Sequence, residues 1–419
     1  MHFPISIAHS IHRFLCLMLA SFSLAAHALT FDEAMQLAQS QAPQIKAQEE
    51  ILSAAQSGLQ PAGALPDPKL ALGIQNLPID GAERYSVTSE PMTMRSIGVI
   101  QEFPSSSKLQ ARESAAQGRV ALADSQLQTT RLVVARQLAS AWIARVTLEQ
   151  QLARMDDLRK ENRLLDVAVK AMLSGGKGAA SDAVMPRQEA AMIENRVDEL
   201  NASRSRAIAA LRRWIGEAAE DGIQGAMPDW PVASASLVHG VHQHPELLEF
   251  DARAQVMDAE ISAATAEKNP DWMLELMYQK RGDQYGDMAS FQVSFDLPIF
   301  SGSRQDPKIA ARRAERAGLD AERDATRREH VAMIEADLAE YHRLDSVLTR
   351  QRDVLLPLAT EKIELAMAAW RGGKGSLSDV IAARRDRIDT ELKIIELDGQ
   401  RRQIAARLHY VNTENGALP

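Results

Sequence analysis

The chain has 419 residues, 45% of them hydrophobic and 25% charged, which is enough for two ordinary domains or one extended architecture. The formal net charge of -8 argues against a nucleic-acid-binding protein, because such a protein presents a basic surface. No run approaches the roughly 18 consecutive apolar residues that a transmembrane helix needs. Any part of the chain that crosses a membrane must therefore do so as strands.

The first 28 residues have the pattern of a secretory signal peptide. Arg13 precedes an apolar stretch at 14–24, and the triplet Ala-His-Ala at 26–28 predicts cleavage before Leu29. A buried N-terminal helix is the alternative. Cys16, the single cysteine, lies inside this stretch, and the residues before it do not resemble a lipoprotein signal. The sequence therefore predicts an exported, cysteine-free mature chain without disulfides or thiolate chemistry.

Four landmarks occur twice along the chain. The glycine-rich segment at 174–182 returns at 371–379, and both copies contain Gly-Gly-Lys-Gly followed by Ser-Asp. Segments at 42–44, 66–68 and 101–104 return at 244–246, 269–271 and 295–298. The offset stays near 200 residues, so we predict two halves with one layout.

The repeat divides the chain into five parts. These are a signal peptide at 1–28, a first repeat at 29–221, a linker at 222–236, a second repeat at 237–412 and a tail at 413–419. Within each half the predicted order is helix, strand pair, long helix, glycine turn and helix.

Two of the predicted helices are very long. A capping box at 30–33 begins the first helix, and residues 105–173 then form a proline-free run of about 100 Å. Its counterpart spans 306–370, with Asp306 as the cap, Pro307 as the first helical residue and a kink at Pro357. Helices of this length must lie along other helices, which predicts a bundle or a helical barrel.

Four segments alternate between apolar and polar residues. They lie at 68–76, 94–103, 271–280 and 289–299, and in the last of them Phe291, Val293, Phe295 and Leu297 alternate with polar residues. This period predicts strands with one apolar and one polar face, which is typical of a transmembrane barrel around an aqueous lumen. A soluble four-stranded sheet covered by helices is the alternative. Four strands cannot close a membrane barrel, so a spanning sheet requires several subunits.

The layout and three motifs resemble the TolC-type outer-membrane efflux proteins. Residues 370–384 are similar to the family motif aromatic-x-x-Gly-x-x-Ser/Thr-x-x-Asp-Val-Leu-x-Ala, and residues 270–272 and 297–302 are similar to further landmarks. The resemblance implies a mainly α protein with a small β part. Duplicated long-helix hairpins would form a periplasmic α-barrel, and four strands per subunit would enter a trimeric twelve-stranded transmembrane β-barrel.

The same resemblance implies the function. The chain would be a passive homotrimeric conduit in the outer membrane of a Gram-negative bacterium, exporting small solutes with a periplasmic adaptor and an inner-membrane pump of the RND type. Residues 91–95, which include Met92 and Met94, look like the heavy-metal branch typified by CzcC and CusC, with copper as a candidate cargo. A type I protein-secretion channel and a periplasmic coiled-coil adaptor or scaffold are the alternatives.

No enzyme, cofactor or nucleic-acid partner is expected. The sequence has no Gly-rich phosphate loop after a strand, no His-Glu-x-x-His and no Gly-x-Ser-x-Gly. Outer-membrane lipid is the remaining expected partner of the strands.

The family scheme also assigns the turns and loops. Residues 77–93 and 281–288 would lie outside the cell, and the two glycine turns would form the periplasmic tip where the adaptor docks. The docking residues would be Gly175, Gly176, Lys177, Gly178, Gly372, Gly373, Lys374 and Gly375.

Asp182 and Asp379 follow the two turns at the same offset. In a trimer they would form rings of carboxylates at a pore constriction, which attract cations. The alternative is helix capping by these aspartates with Ser181 and Ser378. Some family members carry a second aspartate three positions further on, where this chain has Met185 and Ala382, so the gate would hold fewer charges.

Two further groups are predicted to be structural. Arg384, Arg385 and Arg387 are interpreted as a solvated helix face, with ion pairs to a neighbouring helix as the alternative. No metal site is predicted. The weak metal candidates are Met92, Met94, His239, His242 and His244, since thioethers suit Cu(I) and imidazoles bind zinc and copper.

Overall fold

Long α-helices and one small β-sheet make up the computed structural model, which describes residues 28–176, 178–232, 237 and 240–411. The predicted signal peptide up to residue 27 and the predicted tail at 413–419 lie outside the described residues. Residues 233–236 of the predicted linker also lie outside them.

In both halves of the chain a strand pair lies between a helical segment and a long helical segment, and one further helix follows. The helices are α1 (Phe31–Gln41), α2 (Pro43–Leu59), α3 (Ser106–Ser174), α4 (Met185–Ile215), α5 (Pro245–Ala266), α6 (Gln305–Arg350), α7 (Leu356–Arg371) and α8 (Leu377–His409). The strands are β1 (Lys69–Gln75), β2 (Met94–Phe103), β3 (Trp272–Lys280) and β4 (Met288–Phe295).

The starts of the helices test two predicted caps. At α1 the predicted capping box is present: Glu33 Oε2 accepts the Thr30 N–H at 2.8 Å, and Thr30 Oγ1 accepts the Glu33 N–H at 3.3 Å. The predicted cap of α6 is wrong. The helix begins at Gln305 with Arg304 at the N-cap, because the turn at 300–306 already hydrogen-bonds into the helix, and Asp306 lies in its first turn.

The second long helix is interrupted where proline predicts a kink. The π-helical turn Gln351–Leu355 separates α6 from α7, and Pro357 stands in the first turn of α7. Proline has no N–H to give to the preceding turn, so a widened turn just before it accommodates the change of hydrogen-bond register. The first long helix, α3, has no such interruption over its 69 residues.

The hydrophobic core is divided into clusters along the helices. The largest cluster surrounds Leu138 and Trp142 of α3, which are fully buried against α1 and α4. Another joins α3 to α4 and α8, and a third, around Val169 and Trp370, lies beside the glycine turns. A core of this kind follows from helices that lie side by side.

The strands form one antiparallel sheet in the order β1-β2-β3-β4. Leu72, Ile97 and Tyr278 are paired across the first three strands, and Leu276 pairs with Phe291 across the last two. The predicted extension of the fourth strand to residue 299 is wrong. The Asp296 N–H donates to the Asp271 carbonyl at 2.9 Å, and the chain then turns at Pro298, which has no N–H for a ladder.

Within the part of the chain that the structure describes, none of the helices is both long enough and apolar enough to cross a bilayer.

Candidate functional site: an amphipathic sheet and two helical turns

One face of the sheet exposes large apolar side chains. Leu72 and Phe291 are each 70% exposed, and the other exposed apolar residues of this face are 38–66% exposed. The exposed apolar members of this face are Leu70, Leu72, Ile74, Ile97, Val99, Trp272, Leu276, Tyr278, Phe291, Val293 and Phe295. Since soluble monomers rarely expose contiguous apolar patches of this kind, the face marks a contact with lipid or with another protein.

Aromatic side chains occupy both ends of this apolar face. At the end nearer the helices, Phe103 and Trp272 are paired in register and stacked at 4.0 Å with an angle of 8° between the rings. Near the other end, the Tyr278 hydroxyl hydrogen-bonds to Asp287. Aromatic residues at both borders of an apolar band are typical of transmembrane strands.

The opposite face of the sheet is polar and internally hydrogen-bonded. The Gln279 amide donates to Gln75 Oε1 at 3.3 Å, and Ser290 Oγ donates to Gln279 Oε1 at 3.2 Å. This row spans β1, β3 and β4, so the polar face is continuous across the sheet. Gln101, which interrupts the apolar alternation, donates its amide to the Pro66 carbonyl at 2.8 Å and is thereby satisfied locally.

The two glycine turns share a glycine in the left-handed backbone region. Gly176 and Gly373 stand at matching positions of the repeat and have φ angles of +73° and +71°, which L side chains rarely adopt. Lys177, one of the predicted docking residues, lies outside the described residues. The turns join α3 to a short 3₁₀ turn (Ala180–Ala183) in the first half and α7 directly to α8 in the second.

The aspartates after the turns act as helix caps in this chain. Asp182 Oδ2 accepts the Ala179 N–H at 3.0 Å. Asp379 Oδ2 accepts both the N–H and the hydroxyl of Ser376, at 3.1 and 2.7 Å, and these hydrogen bonds lower the pKa of Asp379. The predicted cap Ser378 is wrong: it lies inside α8, and Ser376 is the N-cap.

Three arginines near the start of α8 form ion pairs with other helices. Glu161 of α3 accepts from Arg384 at 2.9 Å and from Arg387 at 3.0 Å. Arg385 pairs with Glu189 of α4, whose side chain is largely buried. The interpretation of these arginines as a solvated face is therefore wrong, because α8 packs beside α3 and shares a hydrophobic cluster with α3 and α4, which brings carboxylates of both helices within reach.

The structure separates the histidines that the sequence groups together. His239 lies outside the described residues, and His242 is exposed in the 3₁₀ turn Gly240–Gln243. His244 is the N-cap of α5 and is only 8% exposed. Burial lowers the pKa of His244 to about 4, and the charges of His330 and Arg136 act in the same direction.

The partner of His244 is a residue that sequence reasoning missed. The ring of His330, on α6, packs against that of His244 with centroids 3.9 Å apart, and His330 Nε2 lies 3.0 Å from Glu246 Oε2. The two histidines are 86 positions apart in the sequence, so no spacing signal pointed to this contact. The methionine candidates lie elsewhere: Met92 is exposed in a loop, and Met94 is the first residue of β2.

These elements define the fold class found in outer-membrane channel proteins. A membrane protein from Pseudomonas aeruginosa matches with a TM-score of 0.77 at 17% identity, over 91% of this chain and 89% of that chain. The outer membrane protein VceC from Vibrio cholerae matches with a TM-score of 0.74 at 17% identity, over 91% of this chain and 95% of that chain. CusC matches with a TM-score of 0.76 at 15% identity, over 91% of this chain and 92% of that chain. The predicted fold class is confirmed.

Sequence comparison points to the same class in the second half of the chain. Residues 241–411 match the family described as Outer membrane efflux protein. No curated protein gives a significant match to the chain. CusC and VceC match almost equally well, so the heavy-metal branch is not singled out.

Proposed function

We propose that this chain is the outer-membrane channel subunit of a tripartite efflux system and works as a passive homotrimeric conduit. The observation that carries the proposal is the four-stranded sheet with an exposed apolar face and a hydrogen-bonded polar face. Strands β1 and β4 are its open edges. An open edge in lipid leaves backbone N–H and C=O groups unpaired. Three sheets joined edge to edge into a twelve-stranded barrel would pair these groups, which one sheet cannot do.

The length of the strands suits a bilayer. The longest, β2, has 10 residues, which span roughly 33 Å along the strand at about 3.3 Å per residue. Tilted at about 45°, this strand covers a height of roughly 23 Å, close to the height of about 25 Å of the apolar band on transmembrane barrels. The apolar face would then contact lipid, and the row formed by Gln75, Gln279 and Ser290 would face the aqueous lumen.

The helices would extend the conduit into the periplasm. In this proposal the glycine turns form the distal tip, where the predicted docking residues meet a periplasmic adaptor that couples the channel to an inner-membrane pump of the RND type. Capping does not remove the negative charge of Asp182 and Asp379, so in a trimer each position would still provide a ring of carboxylates that favours cations.

The proposed cargo is small solutes, with heavy-metal cations such as copper as one class. The support for the metal class is the sequence resemblance at 91–95, and the pump rather than the conduit would select the cargo. No observation on the described residues favours the protein-secretion alternative. The fold shared with structures described as outer-membrane channels favours a conduit over a periplasmic adaptor or scaffold.

Location and assembly are tested by fractionation and by cysteine cross-linking. The proposed channel should resist carbonate extraction from outer membranes and require detergent, whereas a scaffold should wash off. Cys16 is the only cysteine of the chain and precedes the predicted cleavage site, so introduced pairs are unambiguous. We expect Ala71→Cys on β1, combined in turn with Ser290→Cys, Gln292→Cys or Ser294→Cys on β4, to give disulfide-linked dimers and trimers in at least one pair.

A pair within one subunit is the matched control. Gly73 and Ser96 are register partners on β1 and β2, so Gly73→Cys with Ser96→Cys should oxidise without an increase in mass. If this control forms while no β1–β4 pair links copies, the edges do not meet and the proposed barrel is wrong.

A further inference from the structure

Three possible metal ligands from two helices converge away from the sheet and the turns. His244 and Glu246 stand at the start of α5, and His330 stands on the neighbouring helix α6. One ligand atom from each lies within 4.8 Å of the others. Both histidines are 8% exposed, whereas about half of the Glu246 side chain is open to solvent.

We propose that His244, Glu246 and His330 bind a divalent transition-metal ion, of which zinc is the best match, and that the ion fastens α5 to α6. Two imidazoles and one carboxylate form a ligand set that zinc accepts, with water in the fourth position. The ion is a resident of the protein and not its cargo, so the inference does not depend on the proposed channel function.

The distances agree with a site that closes by a small movement. Zinc holds nitrogen and oxygen ligands at about 2.1 Å, so two ligands of a tetrahedral site lie about 3.4 Å apart. His330 Nε2 and Glu246 Oε2 are already 3.0 Å apart. The widest separation in the cluster is 4.8 Å or less, which requires a closure of about 1.5 Å at most.

The position of the ligands is fixed by the local structure. Pro245 begins α5 directly after His244, and the buried Leu247 anchors the first turn, so His244 is held at the helix start. His330 is buried on the facing side of α6. Glu246 is the most exposed of the three ligands, which gives an ion a route from solvent.

Binding has identifiable costs. His244 Nδ1 accepts the Glu246 N–H at 3.2 Å. A metal on Nδ1 would displace this cap, and a metal on Nε2 would leave the ring proton on Nδ1, which could then no longer accept, so either mode gives up the hydrogen bond. The two packed rings, tilted by 31°, must rotate apart to direct a nitrogen each at one ion, and the nearby charge of Arg136 opposes any cation. These costs predict reversible binding that a chelator removes.

The experiment uses the full mature protein in detergent, without a histidine tag. After treatment with EDTA and dialysis, it is titrated with zinc by calorimetry and with Co²⁺ by visible absorption, which reports tetrahedral coordination. We expect one ion per chain, an absorption band typical of a tetrahedral site, and a higher thermal unfolding midpoint with zinc. Glu246→Gln and His330→Gln should each weaken zinc binding at least tenfold.

The controls distinguish this site from surface binding. His242→Asn removes the neighbouring exposed histidine and should leave the affinity unchanged. Glu246→Gln keeps a hydrogen-bonding side chain on an exposed position, so its result stands even if His330→Gln does not fold. No stoichiometric binding, binding unaffected by Glu246→Gln, or binding lost in His242→Asn would each overturn the proposal.

Discussion

Gly399 of α8 lies directly against Thr147 of α3, so that the two helices approach each other without room for a methyl group. A Cβ at position 399 would come to 3.0 Å from Thr147 Cγ2 and 3.2 Å from its Cβ. The Thr147 hydroxyl donates to the Ile143 carbonyl at 2.7 Å, which holds its side chain in place. The contact between the two halves of the chain therefore depends on a glycine at this point.

Replacing this glycine should destabilise the protein. Gly399→Ala gains about 1 kcal/mol of helix propensity but introduces an overpacked contact that costs about 1–3 kcal/mol. We expect a net loss of about 1 kcal/mol in the free energy of unfolding, measured by chemical denaturation and circular dichroism in detergent.

Two variants make this result specific. Gly318→Ala, on the exposed face of α6 where a Cβ meets nothing within 4 Å, should instead stabilise the protein by up to about 1 kcal/mol. Thr147→Ala combined with Gly399→Ala should recover most of the loss. If Gly399→Ala stabilises the protein as much as Gly318→Ala does, α3 and α8 do not approach each other as described.

Local pattern was sufficient to predict most of the secondary structure. Helix caps and prolines act within a few residues, so they can be read from the chain alone. Examples are the capping residues at 30–33, the proline-free run of α3 and Pro357, before which the second long helix is interrupted. The predicted fourth strand was too long because the alternation of Leu297 with Asp296 continues past the last ladder hydrogen bond. Alternation reports the two faces of a segment and does not report where its partner strand ends.

The ion pair between Arg385 and Glu189 should contribute more to the free energy of unfolding than an ordinary surface ion pair does. Glu189 is only 7% exposed, so Arg385→Ala leaves a carboxylate buried without its partner. Removing one partner of a fully buried ion pair lowers the free energy of unfolding by about 3–5 kcal/mol. Because Arg385 itself is half exposed, we expect a smaller loss, about 2 kcal/mol, in the free energy of unfolding.

A double-mutant cycle checks the cause. Arg385→Ala with Glu189→Gln should be more stable than Arg385→Ala alone, since the second change removes the buried charge. Arg328→Ala breaks an exposed pair with Asp324 within one helix and should change the stability by less than about 0.5 kcal/mol. Equal effects for Arg385→Ala and Arg328→Ala would mean that Glu189 is solvated.

The second turn allows a helix cap to be separated from a pore charge. Ser376→Ala removes the hydroxyl that caps α8 and should lower the stability by about 1 kcal/mol without changing ion selectivity. Asp379→Asn removes the carboxylate and, if the proposed ring exists, should reduce the preference for cations, measured as a reversal potential in planar bilayers. Because the pKa of Asp379 is lowered, the preference should persist below the pH at which an ordinary aspartate is protonated.

The equivalent residue of the first half provides the comparison. Asp182→Asn should reduce cation preference in the same way, because Asp182 stands at the matching position after the first turn. Unchanged selectivity in both variants would leave the two aspartates as helix caps only.

Contacts between distant segments could not be predicted from the sequence. The pairing of Arg384 and Arg387 with Glu161 depends on the register of α8 against α3, and charge patterns along one helix do not contain that register. The same holds for His330, which meets His244 only because α6 lies against α5. The candidate turns were predictable because glycine and aspartate act locally, whereas these side-chain clusters required the tertiary structure.

Tyr410 should make the protein sensitive to alkali. This residue ends α8 and is buried beside Trp230, and burial, reinforced by the charge of Asp32, raises the pKa of Tyr410 to about 12 from an ordinary value of 10. Between pH 10 and 12 the phenol therefore loses its proton in the unfolded chain but keeps it in the folded one. The unfolded state is favoured as the pH rises, by about 2 kcal/mol at pH 12, and the effect begins between about pH 9 and 10.

Tyr410→Phe removes this ionisation and nothing else from the ring. The difference in unfolding free energy between the parent and Tyr410→Phe should be constant from pH 7 to about 9. Above that pH the parent should become progressively less stable relative to Tyr410→Phe. Tyr85→Phe, in an exposed loop, is the control and should follow the parent at every pH. If the unfolding free energies of the parent and Tyr410→Phe change in parallel up to pH 12, the phenol is not buried. The end of α8 would then not pack against Trp230.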